Sequence, residues 1–143
     1  MGLARLTQYL IAKSVVEALF VGALAVSFYL TAFSPHLRGE LDQADARLIK
    51  GWAVDQSAPQ SRIEVQLYID DLFVASRRAD AERPDVMAAG LASDVAHGYA
   101  FETPPLAPGE HVARVYAVHE SGGGVRRTLQ LVGKPGTFRV GGP

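Results

Sequence analysis

From Tyr9 to Phe33 the chain runs almost without interruption through apolar residues, and no other segment does so. Lys13 and Glu17 are its only charges, and Ala18 to Phe33 carries none. A helix crossing the hydrocarbon core of a bilayer needs about 20 mainly apolar residues. Residues 9–33 are therefore expected to form a transmembrane α-helix, with 1–8 as a cytoplasmic amino terminus. Two other readings compete. A cleaved signal peptide has a basic start, an apolar stretch of roughly 7–15 residues and a small-x-small site. Arg5 and Ala23-Leu24-Ala25 supply those parts, but the apolar run continues through Val26, Phe28, Tyr29 and Leu30. A buried core helix is usually shorter and rarely apolar on every face. The uncleaved span is the preferred expectation.

Flanking charge sets an orientation. Arg5 and Lys13 lie on the amino side, while His36, Arg38, Glu40, Asp42, Asp45 and Arg47 after the span are mixed in sign. Basic residues stay on the cytoplasmic side. The expected location is the bacterial inner membrane, with the carboxyl-terminal domain periplasmic and the lipid bilayer as first partner. Phe28, Tyr29 and Phe33 suit an outer aromatic belt, and Pro35 ends the helix. Glu17 lies four residues after Lys13, so the two can pair on one face; the alternatives are a contact with another protein's helix and a proton or ion path. Ala18-x-x-x-Gly22 and Ala23-x-x-x-Ser27 have the small-residue spacing that lets helices approach closely.

Beyond the span there is room for one domain. The 143-residue chain has a net charge of −1, which gives no broad basic surface for nucleic acid. It has no cysteine, which excludes disulfides, zinc-thiolate sites and thiol nucleophiles. From Leu48 the pattern becomes strand-like. Ile63, Val65, Leu67 and Ile69 alternate with polar neighbours, Asp70-Asp71 makes a turn, and Leu72 to Ser76 returns as the second arm of a hairpin. Further strands are expected at Leu48–Val54, Gly98–Glu102, Val112–Val118, Val125–Leu131 and Thr137–Val140, with Gly122-Gly123-Gly124 as a loop. Pro84 and Gly90 bound one short helical turn, expected to cross between the sheets. The fold class is thus an all-β sandwich (Ig-like, seven or eight strands) preceded by one N-terminal transmembrane α-helix. Residues 34–46 form a linker and first short strand, and 47–143 the extracytoplasmic domain.

Several pieces fall in a fixed order: Gly39-Glu40-Leu41-Asp42, Lys50-Gly51-Trp52-Ala53-Val54-Asp55, the Asp-Asp turn within Val65–Ala75, Arg83-Pro84-Asp85-Val86 with Gly90, His97-Gly98-Tyr99-Ala100-Phe101, and Gly109-Glu110-His111. The set resembles a small bacterial β-sandwich module with Gly-Trp-Ala-x-Asp, Arg-Pro-Asp-Val and His-Gly-Phe-x-Phe motifs, seen beside glycosyltransferase-like and cell-surface domains. Here Tyr99 replaces the usual Phe, and Asp71 stands where a turn glycine is common. The resemblance implies architecture and no catalytic role. Trp52, Tyr99 and Phe101 are expected as core aromatics, Arg83 and Asp85 as turn partners, and Asp55 as a cap for the loop after its strand. The alternative makes Trp52, Asp55, Arg83 and Asp85 a ligand or interface surface, with Trp52 stacking on a sugar and Asp55 or Asp85 holding hydroxyls.

No constellation points to catalysis, a cofactor or a metal. His36, His97, His111 and His119 are scattered, and Asp70-Asp71 reads as a turn. Ser93-Asp94 near His97 has the letters of a triad without a nucleophile elbow. Gly122-Gly123-Gly124 lacks the Lys-Ser/Thr and helix of a phosphate loop. Arg126-Arg127 reads as a solvated basic pair. The expected function is a non-catalytic accessory subunit of a bacterial membrane complex (respiratory or photosynthetic), in contact with other membrane-protein subunits. The alternative is a membrane-anchored carbohydrate-binding module at the cell surface.

Overall fold

The computed structural model describes residues 2–32, 36–121 and 123–142, leaving aside the side chains of 30–32 and 121. Phe33, Ser34, Pro35 and Gly122, which carry sequence expectations above, lie outside the described residues. The chain divides into two compact units, Met1–Pro35 and His36–Pro143.

The first unit is α1, Gly2–Ala32. It begins ahead of the expected Tyr9 because nothing between Leu3 and Gln8 breaks a helix. Its stretch Gly2–Tyr29 is long and apolar enough to cross a membrane, and none of it is buried. Leu10, Val16, Leu19 and Phe20 are exposed in different directions around it. A helix that is apolar all round has no polar face to offer water.

In the second unit, β1 (Leu37–Ala44), β2 (Leu48–Asp55), β6 (Ala96–Glu102) and β5 (Ala81–Glu82) form one antiparallel sheet in that order. β4 (Leu72–Arg78), β3 (Glu64–Ile69), β7 (Gly109–Ser121) and β8 (Arg126–Leu131) form the second. β9 (Gly136–Val140) pairs with the first part of β7, so β8 and β9 share one side of that long strand. The whole of 37–44 belongs to the folded unit, paired with β2 from Leu37↔Asp55 to Ala44↔Ile49. The boundary expected at 46/47 therefore moves to 35/36. The short helix α2 (Pro84–Ala88) does not cross between sheets. It joins β5 to β6 within one sheet, and the crossing is made between β4 and β5.

The alternation read from sequence becomes the core. Val65, Leu67 and Ile69 of β3 meet Ala113, Val115 and Ala117 of β7 on the inner side of the second sheet. Ile49, Ala53, Tyr99 and Phe101 face them from the first. In the β3–β4 turn, Asp70 and Asp71 both adopt left-handed backbone, φ 52° and 67°. That is the conformation of a two-residue hairpin whose twist matches its strands. The Asp70 carboxylate ties the turn to the neighbouring strand: its Oδ1 accepts from the Val112 amide of β7 at 3.0 Å.

Gly51 permits the tightest crossing. Tyr99 is its register partner on β6, and the phenol lies over Gly51 to donate to the Glu40 carbonyl on β1 at 3.1 Å. A Cβ on Gly51 would collide with the Glu40 carbonyl oxygen and stand 2.5 Å from the Tyr99 hydroxyl. On the open side of β1, the segment between β8 and β9 turns inward. Val132 is buried there and its amide donates to the Val115 carbonyl at 2.8 Å.

Residues 36–143 expressed alone are expected to unfold in one cooperative thermal transition with β-type circular dichroism. Gly51→Ala in that fragment should cost about 3 kcal/mol through overpacking against backbone. Chemical denaturation of the two proteins measures the difference.

Candidate functional site

Part of the motif set, Trp52, Val54, Arg83, Asp85 and Val86, gathers on the outward face of the first sheet. Trp52 and Val54 point away from the main core and form a second small cluster with Val86 of α2, flanked by Leu91 and Ala92. Pro84 suits the first turn of α2, and the helix folds back so that Val86 covers the tryptophan. Trp52 retains 7% of its surface. It borders a shallow cleft of about 300 Å³ with Arg38, Glu40, Leu91, Leu131 and Gly133. An indole in this position offers no open ring face for a sugar to stack upon.

Arg83 ties this layer together. Its Nε and Nη2 donate to the two Asp85 oxygens at 2.8 and 2.7 Å, and Nη1 donates to Asp42 at 2.6 Å. Its stem lies across Gly98, where a Cβ would stand 2.7 Å from Arg83 Cγ. The Asp85 carboxyl is held down at about 2, chiefly by hydrogen bonds from Arg83. The same bonds raise the guanidinium further above its ordinary value. In the sequence Asp42 stands only as the end of the Gly39–Asp42 piece, with no sign that it partners Arg83. It is the unpaired bulge residue between Leu41↔Gly51 and Gln43↔Lys50, and strand alternation gives no signal of a bulge. Asp55 is not part of this group. Its Oδ1 accepts from the Ser57 amide at 2.8 Å and from the Ser57 hydroxyl, a local turn as expected.

His97 is fully buried, and its Nδ1 has no hydrogen-bond partner among the described residues. Nε2 lies 3.2 Å from Asp94 Oδ1 and 3.4 Å from Arg62 Nη1, and Arg62 Nη2 donates to Asp94 at 3.1 Å. Two of the triad letters do meet, but the Ser93 hydroxyl donates instead to the Pro59 carbonyl at 3.1 Å. Burial lowers the His97 pKa, outweighing the opposing pull of Asp94. His111 is the reverse case. Nδ1 lies 2.7 Å from Asp70 Oδ2 and Nε2 lies 2.8 Å from the Ala107 carbonyl, so both ring nitrogens face acceptors. The Asp70 hydrogen bond raises its pKa first, and the Ala107 carbonyl adds to it. Among the described residues no group of three His, Cys, Asp or Glu side chains could hold a metal.

The outward face of the second sheet is built differently. Tyr68, Tyr116 and Phe73 pack edge to face, with ring centroids 5.3 Å (Tyr68–Tyr116) and 5.6 Å (Tyr68–Phe73) apart. Register places Leu131 beside Tyr116 and Leu129 beside Val118 on the same face. Phe73 is 56% exposed, and Leu129 and Leu131 are exposed as well. The rim is charged: Arg114 pairs with Asp71, and Arg127 bridges Glu64 at 2.7 Å and Glu120 at 2.9 Å. Sequence alternation found these strands but did not tell which side of β8 is wet. On α1, Lys13 and Glu17 pair at 3.0 Å, as their spacing predicts. Ala18, Gly22, Ala23 and Ser27 lie on exposed helix surface, and a Cβ at Gly22 would meet nothing within 4 Å.

No protein-family model matches the chain, and comparison with curated proteins and with solved structures gave no match either.

Arg83→Ala should destabilise the 36–143 fragment by about 2 kcal/mol, since a charged hydrogen-bond hub and its packed stem go together. Urea titration reads this out, and Asp42→Ala added to Arg83→Ala should then cost much less than it does alone. The two histidines set opposite pH slopes. His97, with its pKa lowered, must stay neutral, so its contribution is lost as pH falls below the ordinary value of about 6.5. His111, with its pKa raised, contributes fully below about 6.5 and loses that contribution as pH rises through its own value. The melting temperature should therefore peak near neutrality. His97→Gln should flatten the acid limb and His111→Gln the alkaline limb, as followed by thermal melts across pH.

Proposed function

We propose that this chain is a non-catalytic accessory subunit of a bacterial membrane-protein complex, respiratory or photosynthetic. α1 holds it in the inner membrane with the amino end cytoplasmic. An Ig-like sandwich in the periplasm docks on the assembly and stabilises it. The observation that supports this reading is the difference between the two outward faces. The first sheet covers its Trp52 and Val54 with α2. The second leaves Phe73, Leu129 and Leu131 exposed beside Tyr68 and Tyr116. An apolar patch with a polar rim is the mark of a protein contact, and aromatic residues are enriched at the centre of such contacts. Ala18, Gly22, Ala23 and Ser27 supply a second surface within the membrane, where small residues let helices come close. Glu17, already paired with Lys13, belongs to the cytoplasmic end of that helix. Burial of Trp52 weighs against the carbohydrate-binding alternative, which needs an exposed indole.

Purification of the tagged full-length chain in mild detergent, with mass spectrometry of the co-purifying proteins, tests the reading. It should bring down one set of membrane subunits in fixed proportion. Phe73→Glu combined with Leu131→Glu should reduce that recovery by about tenfold or more, as loss of an interface centre does, while leaving the melting temperature of the sandwich in place. A wild-type chain that emerges alone from intact membranes would end the proposal.

A further inference from the structure

We infer that residues 91–94 form a lid on the outward face of the first sheet, latched to the β2–β3 loop through Asp94 and released when His97 takes up a proton. The inference is independent of the membrane reading of α1 and of any docking by the second sheet. The segment runs from the end of α2 to the start of β6. Gly90, with φ 72°, turns the chain out of the helix and into it. The first half of the segment covers: Leu91 and Ala92 pack against the Trp52, Val54 and Val86 cluster. The second half fastens. The Ser93 hydroxyl donates to the Pro59 carbonyl at 3.1 Å, and Asp94 accepts from Arg62 Nη2 at 3.1 Å. Among the described residues, these two side-chain bonds join the segment to the loop between β2 and β3. The rest of the seam is open, with a cleft of about 320 Å³ lined by Val54, Gln56, Pro59, Leu91, Ala92 and Ser93.

His97 is the trigger because its Nε2 faces both halves of the Asp94 tie, 3.2 Å from Asp94 Oδ1 and 3.4 Å from Arg62 Nη1. A guanidinium only donates. A bare Nε2 can face it as an acceptor, but a protonated ring has donors at both nitrogens. Two cations then compete for one carboxylate. His97 is fully buried and has no way out, whereas the Arg62 side chain is 30% exposed and can turn to water. Its departure breaks the tie. A proton on Nδ1 adds to the disturbance, since that atom has no hydrogen-bond partner among the described residues and a buried unpaired donor is costly. Burial opposes the charged ring most, Asp94 favours it, Arg62 opposes it, and the nearby Pro59 and Ala53 carbonyls favour it less strongly. The balance puts proton uptake below the ordinary value of about 6.5, so the lid is shut at neutral pH and opens in acid. With Ser93 alone left on the seam, Leu91 and Ala92 lift and the Trp52 ring meets water. The first sheet then presents an exposed apolar face of its own.

Trp52 is the sole tryptophan of the chain, so its fluorescence reports on the lid directly. The full-length protein in detergent micelles is quenched with acrylamide across pH. From about pH 7.5 to about pH 5 the quenching constant should rise about twofold or more with far-UV circular dichroism unchanged, as a local opening requires. His97→Gln, which cannot charge, should keep the low value at both ends of that range. Asp94→Ala, which removes the tie from its partly exposed side, should show the high value at both ends. A wild-type constant that ignores pH, a rise that persists in His97→Gln, or a rise that comes only with loss of the β-type dichroism would overturn the inference. If His97→Gln does not fold, Asp94→Ala decides, and low quenching of that variant at neutral pH sinks the latch.

Discussion

β2 has to be covered on both faces, and much of residues 36–143 follows from that requirement. Ile49 and Ala53 point into the main core while Trp52 and Val54 point away from it. A strand of this kind cannot sit at the surface of a sandwich unless another layer is laid upon it. α2 and the Leu91-Ala92 segment are that layer, and Arg83 fastens it to β1 through Asp42. Ala81 and Glu82 make a strand too short to extend the sheet far. What β5 accomplishes is to bring Arg83 and α2 back over the tryptophan.

The ordered motif pieces acquire a common physical meaning from this. Gly51 leaves room for the Tyr99 phenol to cross to β1. Gly98 leaves room on the other face for the Arg83 stem. Asp85 and Asp42 hold the guanidinium, and Asp55 closes the turn after β2. Each residue serves the packing or closure of one doubly buried strand, so their presence together need not signal a ligand. The surface feature left over is the aromatic face of the second sheet, and it does not depend on the motif set.

The two histidines show how one residue type is put to opposite uses. His97 has lost its water and is kept from protonation by burial, beside an Asp94 carboxylate already engaged by Arg62. His111 is placed between two acceptors and so favours the charged ring. Sequence spacing gave no hint of either environment, because Asp70 reaches His111 from the β3–β4 turn, Ala107 from the loop before β7, and Arg62 reaches His97 from the segment before β3.

By itself the amino-acid sequence determined the properties that depend on near neighbours. The apolar run made α1, period-two alternation made β3, a run of Ala, Val and Tyr on both faces made the middle of β7, and Asp70-Asp71 made the hairpin turn. Lys13 and Glu17 paired because four residues bring them to one helix face. Tertiary structure alone decided what depends on distant partners. It paired the whole of β1 into the sandwich, where the sequence had read a linker with a first short strand, and returned α2 to its own sheet. It also turned the leucines of β8 toward water and buried Trp52. Alternation shows that a strand has two unlike faces, but which face is covered is set by elements far along the chain, whose packing leaves no local period to read.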